Sequence, residues 1–124
     1  MRKLDSYKNN LLERLKQFSI SIIKLSSKFP KNPAGFTLAD QLVRASTSIG
    51  SNLVEAQEAV SGKDFLYKVN HALKEAKETY YWLELLNDSL LMPKEELMPL
   101  LQETEEIVKI LVVTVKKLRT KKIN

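Results

Sequence analysis

Apolar residues recur every three or four positions along almost the whole chain, interrupted only where Pro, Gly and Ser clusters fall. Leu4, Leu11, Leu15, Phe18, Ile22, Leu25 and Phe29 make the first such seam, spaced by fours and threes after the first step, as for one face of a helix and not for a strand. Phe29-Pro30-Lys31-Asn32-Pro33-Ala34-Gly35 ends it, because each Pro disfavours helix in the residue before it. Leu38, Leu42, Ala45, Ile49, Leu53 (or Asn52), Ala56 and Val60 make the second seam, and Ser61-Gly62 breaks it. The third carries Phe65, Val69, Ala72, Ala76, Tyr80, Leu83 and Leu86, with Thr79 an alternative to Tyr80. The fourth carries Leu97, Leu101, Thr104, Ile107, Leu111, Val115 and Leu118, with Val108 an alternative to Ile107 and Thr114 to Val115. The spacing predicts helices over about 5–28, 37–60, 62–89 and 93–119, then a short basic tail at 120–124. Four long amphipathic helices with short links predict one all-α domain over residues 1–124, an antiparallel up-down-up-down four-helix bundle.

Local signals refine the ends. Thr37 with Asp40 and Ser61 with Asp64 resemble capping boxes opening the second and third helices. Pro93 suits the first turn of the fourth, where its missing N–H costs nothing. Pro99 predicts a kink or a later effective start. Within the second helix, Arg44-Ala45-Ser46-Thr47-Ser48-Ile49-Gly50-Ser51-Asn52 is built of small, weakly helical residues. Such a helix gains its stability from packing, so this segment is expected inside a helical assembly.

Two features predict that the bundle self-associates. Ile107-Val108-Lys109-Ile110-Leu111-Val112-Val113-Thr114-Val115 is apolar almost all round a helix, and such helices are covered on more than one side. Tyr80, Tyr81 and Trp82 point about 100° apart, so they cannot all enter one core. Tyr81, Trp82, Ile110, Val112 and Val113 are therefore expected at the interface of a ring-like homo-oligomer, with a wide core contact plus one exposed aromatic as the simpler alternative.

Composition excludes much chemistry. The chain has no Cys, which removes disulfides, thiolate metal sites and thiol catalysis and suits a cytoplasmic setting. No apolar run follows the first charged residues, and none reaches the roughly 20 residues that cross a bilayer, so neither a signal peptide nor a membrane partner is expected. The single His71 follows Lys68 by three residues, so the Glu-x-x-His pair of a di-iron bundle is absent. An i,i+4 contact with Glu75 is its expected role. No phosphate loop, nucleophile elbow or zinc helix motif occurs. No catalytic residue, metal or cofactor is expected, and the chain does not read as an enzyme.

Polar patterning is more informative. Residues 1–31 carry a net charge of +6, residues 32–106 one of −7 and residues 107–124 one of +6. Arg44, Ser48, Asn52 and Glu55 form a stripe beside the second seam. Arg44 and Glu55 lie three turns apart, about 16 Å along the axis, so each needs a partner on another helix or subunit if partly buried. Packing specificity and partner binding are both open readings of the stripe. In an up-down-up-down bundle, Arg2, Lys3 and Lys8 would join Lys116, Lys117, Arg119, Lys121 and Lys122 at one end. A patch of this kind neutralises phosphates and binds nucleic acid without reading its sequence.

Gln41-Leu42-Val43-Arg44-Ala45-Ser46-x-Ser48-Ile49-x-x-Asn52-Leu53-x-Glu55, followed by Lys63-Asp64-Phe65 and Ala72–Leu83, resembles the four-helix-bundle family of proteins encoded in intervening sequences of bacterial 23S ribosomal RNA genes. Leu53 stands where Ile is usual, and Lys74-Glu75 where many members have Gly-Ser. The resemblance implies a homopentamer without catalytic activity. It also implies a distant similarity to the pentameric accessory variability protein of diversity-generating retroelements, which engages nucleic acid and a reverse transcriptase. The sequence thus predicts a non-enzymatic accessory bundle that binds nucleic acid, RNA by preference, through its basic end. The alternative is a scaffold that docks a reverse transcriptase or other protein with no nucleic-acid contact.

Overall fold

The computed structural model describes the backbone of residues 2–123 and the side chains of residues 10–121. Four helices carry these residues: α1 (Arg2–Ser26), α2 (Pro33–Ala56), α3 (Gly62–Asp88) and α4 (Lys94–Ile123), with no strand among them. α2 packs between α1 and α3, α3 packs on α4, and α1 meets α4 more sparsely.

The seams become the core. Leu15, Phe18, Ile22, Leu25 and Phe29 of the first segment are buried against Leu42, Ala45, Ile49 and Ala56 of the second. Val69, Ala72, Ala76, Leu83 and Leu86 meet Leu97, Leu101, Ile107, Leu111 and Val115 from the other side. Each fully buried Leu or Ile contributes about 1.5–3 kcal/mol relative to exposure. Thr79 and Thr104 also lie in this core, and each hydroxyl donates to the carbonyl four residues back, Glu75 O at 2.8 Å and Leu100 O at 2.6 Å. Burial therefore leaves neither hydroxyl unsatisfied. The small residues of α2 do what weak propensity implied: a Cβ placed on Gly50 would sit 3.6 Å from Leu15 Cβ, so α1 runs close against this face.

The ends of α2 differ from the sequence reading. The helix opens at Pro33, because Asn32 caps it: its side-chain Oδ1 accepts from Gly35 N at 2.9 Å, and Pro33 supplies a preset φ at N1. Thr37 and Asp40 sit inside the helix, exposed, and cap nothing. At the other end, Gln57, Glu58 and Ala59 bond three residues back, tightening the chain out of the α-helix after Ala56. Ser61 caps α3 as read, accepting from Asp64 N at 3.1 Å, while the Asp64 carboxylate accepts from Val60 N at 3.3 Å. α4 starts at Lys94 with Pro99 inside it, so the later start is not taken. It runs on to Ile123, past the expected helix end at 119, so residues 120–123 of the short basic tail continue the helix; Lys and Arg are good helix formers.

Leu90, just past α3, has φ 60° and is 87% exposed. An L-residue in this left-handed region is strained by about 1–2 kcal/mol, and exposure means little packing offsets it. Leu90→Gly is expected to stabilise the protein by about 0.5–1 kcal/mol after allowing for glycine's unfolded-state entropy. A urea midpoint that stays put or falls would contradict this.

Candidate functional site

The polar stripe of α2 faces α3, and its two charged ends find partners there. Arg44 Nη1 lies 3.4 Å from Glu75 Oε1, and Arg44 Nη2 donates to Glu78 Oε1. The same Glu78 oxygen accepts from Trp82 Nε1 at 3.2 Å, while Arg44 Nε donates to Gln41 Oε1 at 3.3 Å. Glu55 accepts from Lys68 Nζ at 3.2 Å. Ser48 and Asn52 turn back on their own helix: Ser48 Oγ donates to Arg44 O and Asn52 Nδ2 to Ser48 O, both at 2.7 Å. The stripe is thus a helix–helix seam, with its hydrogen-bonding capacity largely spent inside the protein.

Glu75 is the least exposed charge in this seam, its side chain only 9% accessible. His71 Nε2 approaches its other oxygen at 3.5 Å, the expected i,i+4 contact, and the imidazole stacks on Tyr67. Removing Arg44 leaves the Glu75 carboxylate poorly compensated, which costs more than removing both partners. Arg44→Met is expected to destabilise by about 1–3 kcal/mol, Arg44 being half-exposed, and Arg44→Met with Glu75→Met by less. Strictly additive losses in a denaturant double-mutant cycle would refute the coupling. Neither Glu75 nor Glu78 was singled out as the partner of Arg44 in the sequence, because spacing within one helix does not pair it with another. The available signal was two acids three residues apart on a helix otherwise rich in apolar seam residues.

The residues expected at an oligomer interface divide. Tyr81 is 54% exposed and Val113 49%, whereas Trp82, Ile110 and Val112 are half-buried. Trp82 and Val112 pack against the core, and Tyr81 meets the Trp82 ring edge-on at 5.4 Å. Tyr80 is also half-buried, and its hydroxyl donates to Glu105 Oε1 at 3.1 Å. That hydrogen bond, with some burial and the neighbouring carboxylate charges, holds its pKa above the ordinary phenol value.

At the end of α4, Lys116, Lys117, Arg119 and Lys121 are all exposed, and none has an ion-pair partner among the described residues. Glu106 is the last Asp or Glu in the sequence, and among the described residues Lys109 approaches it, at 3.9 Å. Arg2, Lys3, Lys8 and Lys122 lie outside the residues whose side chains are described. Beside the cationic turns opens a cleft of about 650 Å³. Leu11 of α1, Leu53 of α2, Val69 of α3 and Leu118 of α4 all line it, so the first part of α1 and the last part of α4 border one space. No group of three metal-binding side chains occurs among the described residues, and no described helix is long and apolar enough to cross a membrane.

Four helices packed α1 on α2, α2 on α3 and α3 on α4 make this a small four-helix-bundle protein. More particularly, the chain belongs to the 23S rRNA-intervening sequence protein family, whose model matches residues 7–113. Among solved structures, it is similar to the crystal structure of a protein of unknown function from the S23 ribosomal protein family of Bacteroides thetaiotaomicron VPI-5482. The two are 36% identical with a TM-score of 0.81, over 88% of this chain and 97% of that one. No curated protein matches.

Proposed function

We propose that the chain is a non-enzymatic, oligomeric helical bundle that binds RNA through the basic end of α4. The observation that carries this reading is the run Lys116, Lys117, Arg119 and Lys121, exposed and without an ion-pair partner among the described residues, on the last turns of a helix with no Asp or Glu after Glu106. Cations at a helix C-terminus do complement its dipole, but that effect reaches only the last turn and does not call for four of them. Unpaired cations held on a rigid helix bind phosphates by releasing counterions, and do so without base contacts. Membership of a family named for 23S rRNA intervening sequences favours RNA over DNA.

An up-down-up-down arrangement supports the reading further. The ion pair Arg14–Glu103 joins α1 to α4, and Lys28, in the turn just after α1, pairs with Glu96 nearer the start of α4, so the contacts advance along the first segment while receding along α4; the cleft at the α4 end is lined from both helices. In that arrangement Arg2, Lys3 and Lys8 add their charge to the same pole. The exposed faces of Tyr81 and Val113 support self-association, which would multiply the basic pole by the number of subunits. A pentamer is the state the family resemblance implies.

Filter binding of a single-stranded RNA across a salt series tests the reading. Four phosphate contacts on one protomer predict a slope of log K against log salt of about −3, and an oligomer a steeper one. Absent binding at low salt, or a slope near zero, would reject it.

A further inference from the structure

We propose that the cleft at the α4 end binds a long-chain carboxylate, its alkyl chain held between the helices and its head group on Lys117 and Lys121. Leu11, Leu53, Val69, Leu111 and Leu118 bring apolar walls from all four helices, and Phe65 adds an aromatic one. A space of about 650 Å³ falls within the range of roughly 300–1,000 Å³ typical of small-molecule sites, which in bundles form between helices. Lys117 and Lys121 also line it, one helical turn apart on α4, and neither has an ion-pair partner among the described residues. The cleft therefore offers an apolar interior with paired positive charge at one side, the complement of an amphipathic anion.

Other occupants match this lining less well. A nucleobase would lose the hydrogen bonds of its polar edge, since Gln57 and Thr114 are the uncharged polar residues of the wall and the Thr114 hydroxyl already donates to Ile110 O at 2.8 Å. A neutral hydrocarbon would fill the walls but gain nothing from the two exposed ammonium groups at their edge. A docking helix needs an open groove between two helices, whereas these walls come from four. The carboxylate satisfies both the walls and the lysines.

Calorimetric titration of the full chain with octanoate, decanoate and dodecanoate, each below its micelle concentration and without nucleic acid, is the test. Saturable binding is expected, tightening about fourfold for each added methylene. Lys117→Glu with Lys121→Glu, both at exposed positions, should weaken dodecanoate at least about tenfold and leave dodecanol unchanged. Leu53→Trp, which fills the cleft, should remove binding of both while RNA retention on filters persists, so failure here is separable from failure of the RNA reading. The proposal is overturned by the absence of saturation, by affinity independent of chain length, or by a charge-reversed protein that binds dodecanoate unchanged. It is equally overturned if dodecanoate does not bind and Leu53→Trp lowers the light-scattering mass, since a second copy of the chain would then fill the space.

Discussion

Gly35→Ala should destabilise the protein by about 3 kcal/mol or more, at the severe end of what one added methyl group does. A Cβ at this position would stand 1.8 Å from the Pro30 carbonyl oxygen and 2.8 Å from its carbon. Both are backbone atoms, so no side-chain rotation relieves the clash. The segment is also tethered: Asn32 Oδ1 accepts from Gly35 N, Phe29 is buried before the Pro30 turn, and Leu42 is buried two turns beyond Gly35. The α1–α2 connection must shift as a unit. Gly62→Ala is the matched control, because nothing lies within 4 Å of a Cβ there. Alanine at that helix start should be neutral or stabilise by up to about 1 kcal/mol. Urea unfolding of the two variants separates a steric requirement from a general preference for glycine near helix ends; equal midpoints would contradict it.

Replacing Lys116, Lys117, Arg119 and Lys121 together by Gln should weaken RNA binding on the order of a hundredfold to a thousandfold at about 0.1 M salt, and flatten the salt slope by about 3. The thermal midpoint should hardly change, since exposed, unpaired side chains usually contribute within about 0.5 kcal/mol. That separation of binding from folding is the signature of a surface that acts on a partner. Arg44→Met should give the opposite pattern, lower stability with RNA affinity nearly intact, because its guanidinium is engaged by Glu75 and Glu78. An unchanged affinity in the four-fold Gln variant would remove the basis for the proposed interface.

The helices were legible because the apolar period is itself a consequence of packing. Leu15, Phe18, Ile22, Leu25 and Phe29 fall on one seam in the sequence and are all buried. Thr104 could be placed on the core face for the same reason, although its hydroxyl is satisfied only through its own helix. The start of α2 was harder to read, because two cap signals compete within six residues. Asn32-Pro33 prevails over Thr37-x-x-Asp40 because it lets the helix begin a full turn sooner with its first N–H groups satisfied. Tyr80 and Thr79 were alternatives for one seam position; the smaller Thr79 is fully buried and Tyr80 reaches out to Glu105.

The candidate site was legible unevenly. The cationic run of α4 could be read directly from charge, since no acidic residue follows Glu106 to offset it. The need of Arg44 and Glu55 for partners followed from their separation along one helix, but the identities of Glu75, Glu78 and Lys68 depend on how two helices register against each other. Trp82 shows the same gap: its indole N–H is tied to Glu78 and its ring packs against the core, so Tyr81 beside it is the more exposed aromatic. The cleft was not legible at all, because it exists only where four chain segments meet.

Ultraviolet cross-linking of a photoreactive RNA to the protein, followed by mass mapping of the modified peptides, bears most directly on where a polyanion docks. Adducts should concentrate between residues 109 and 121 and disappear as salt is raised. Adducts gathered instead around Phe36 and Leu90, or spread evenly over all four helices, would contradict a cationic pole as the docking surface.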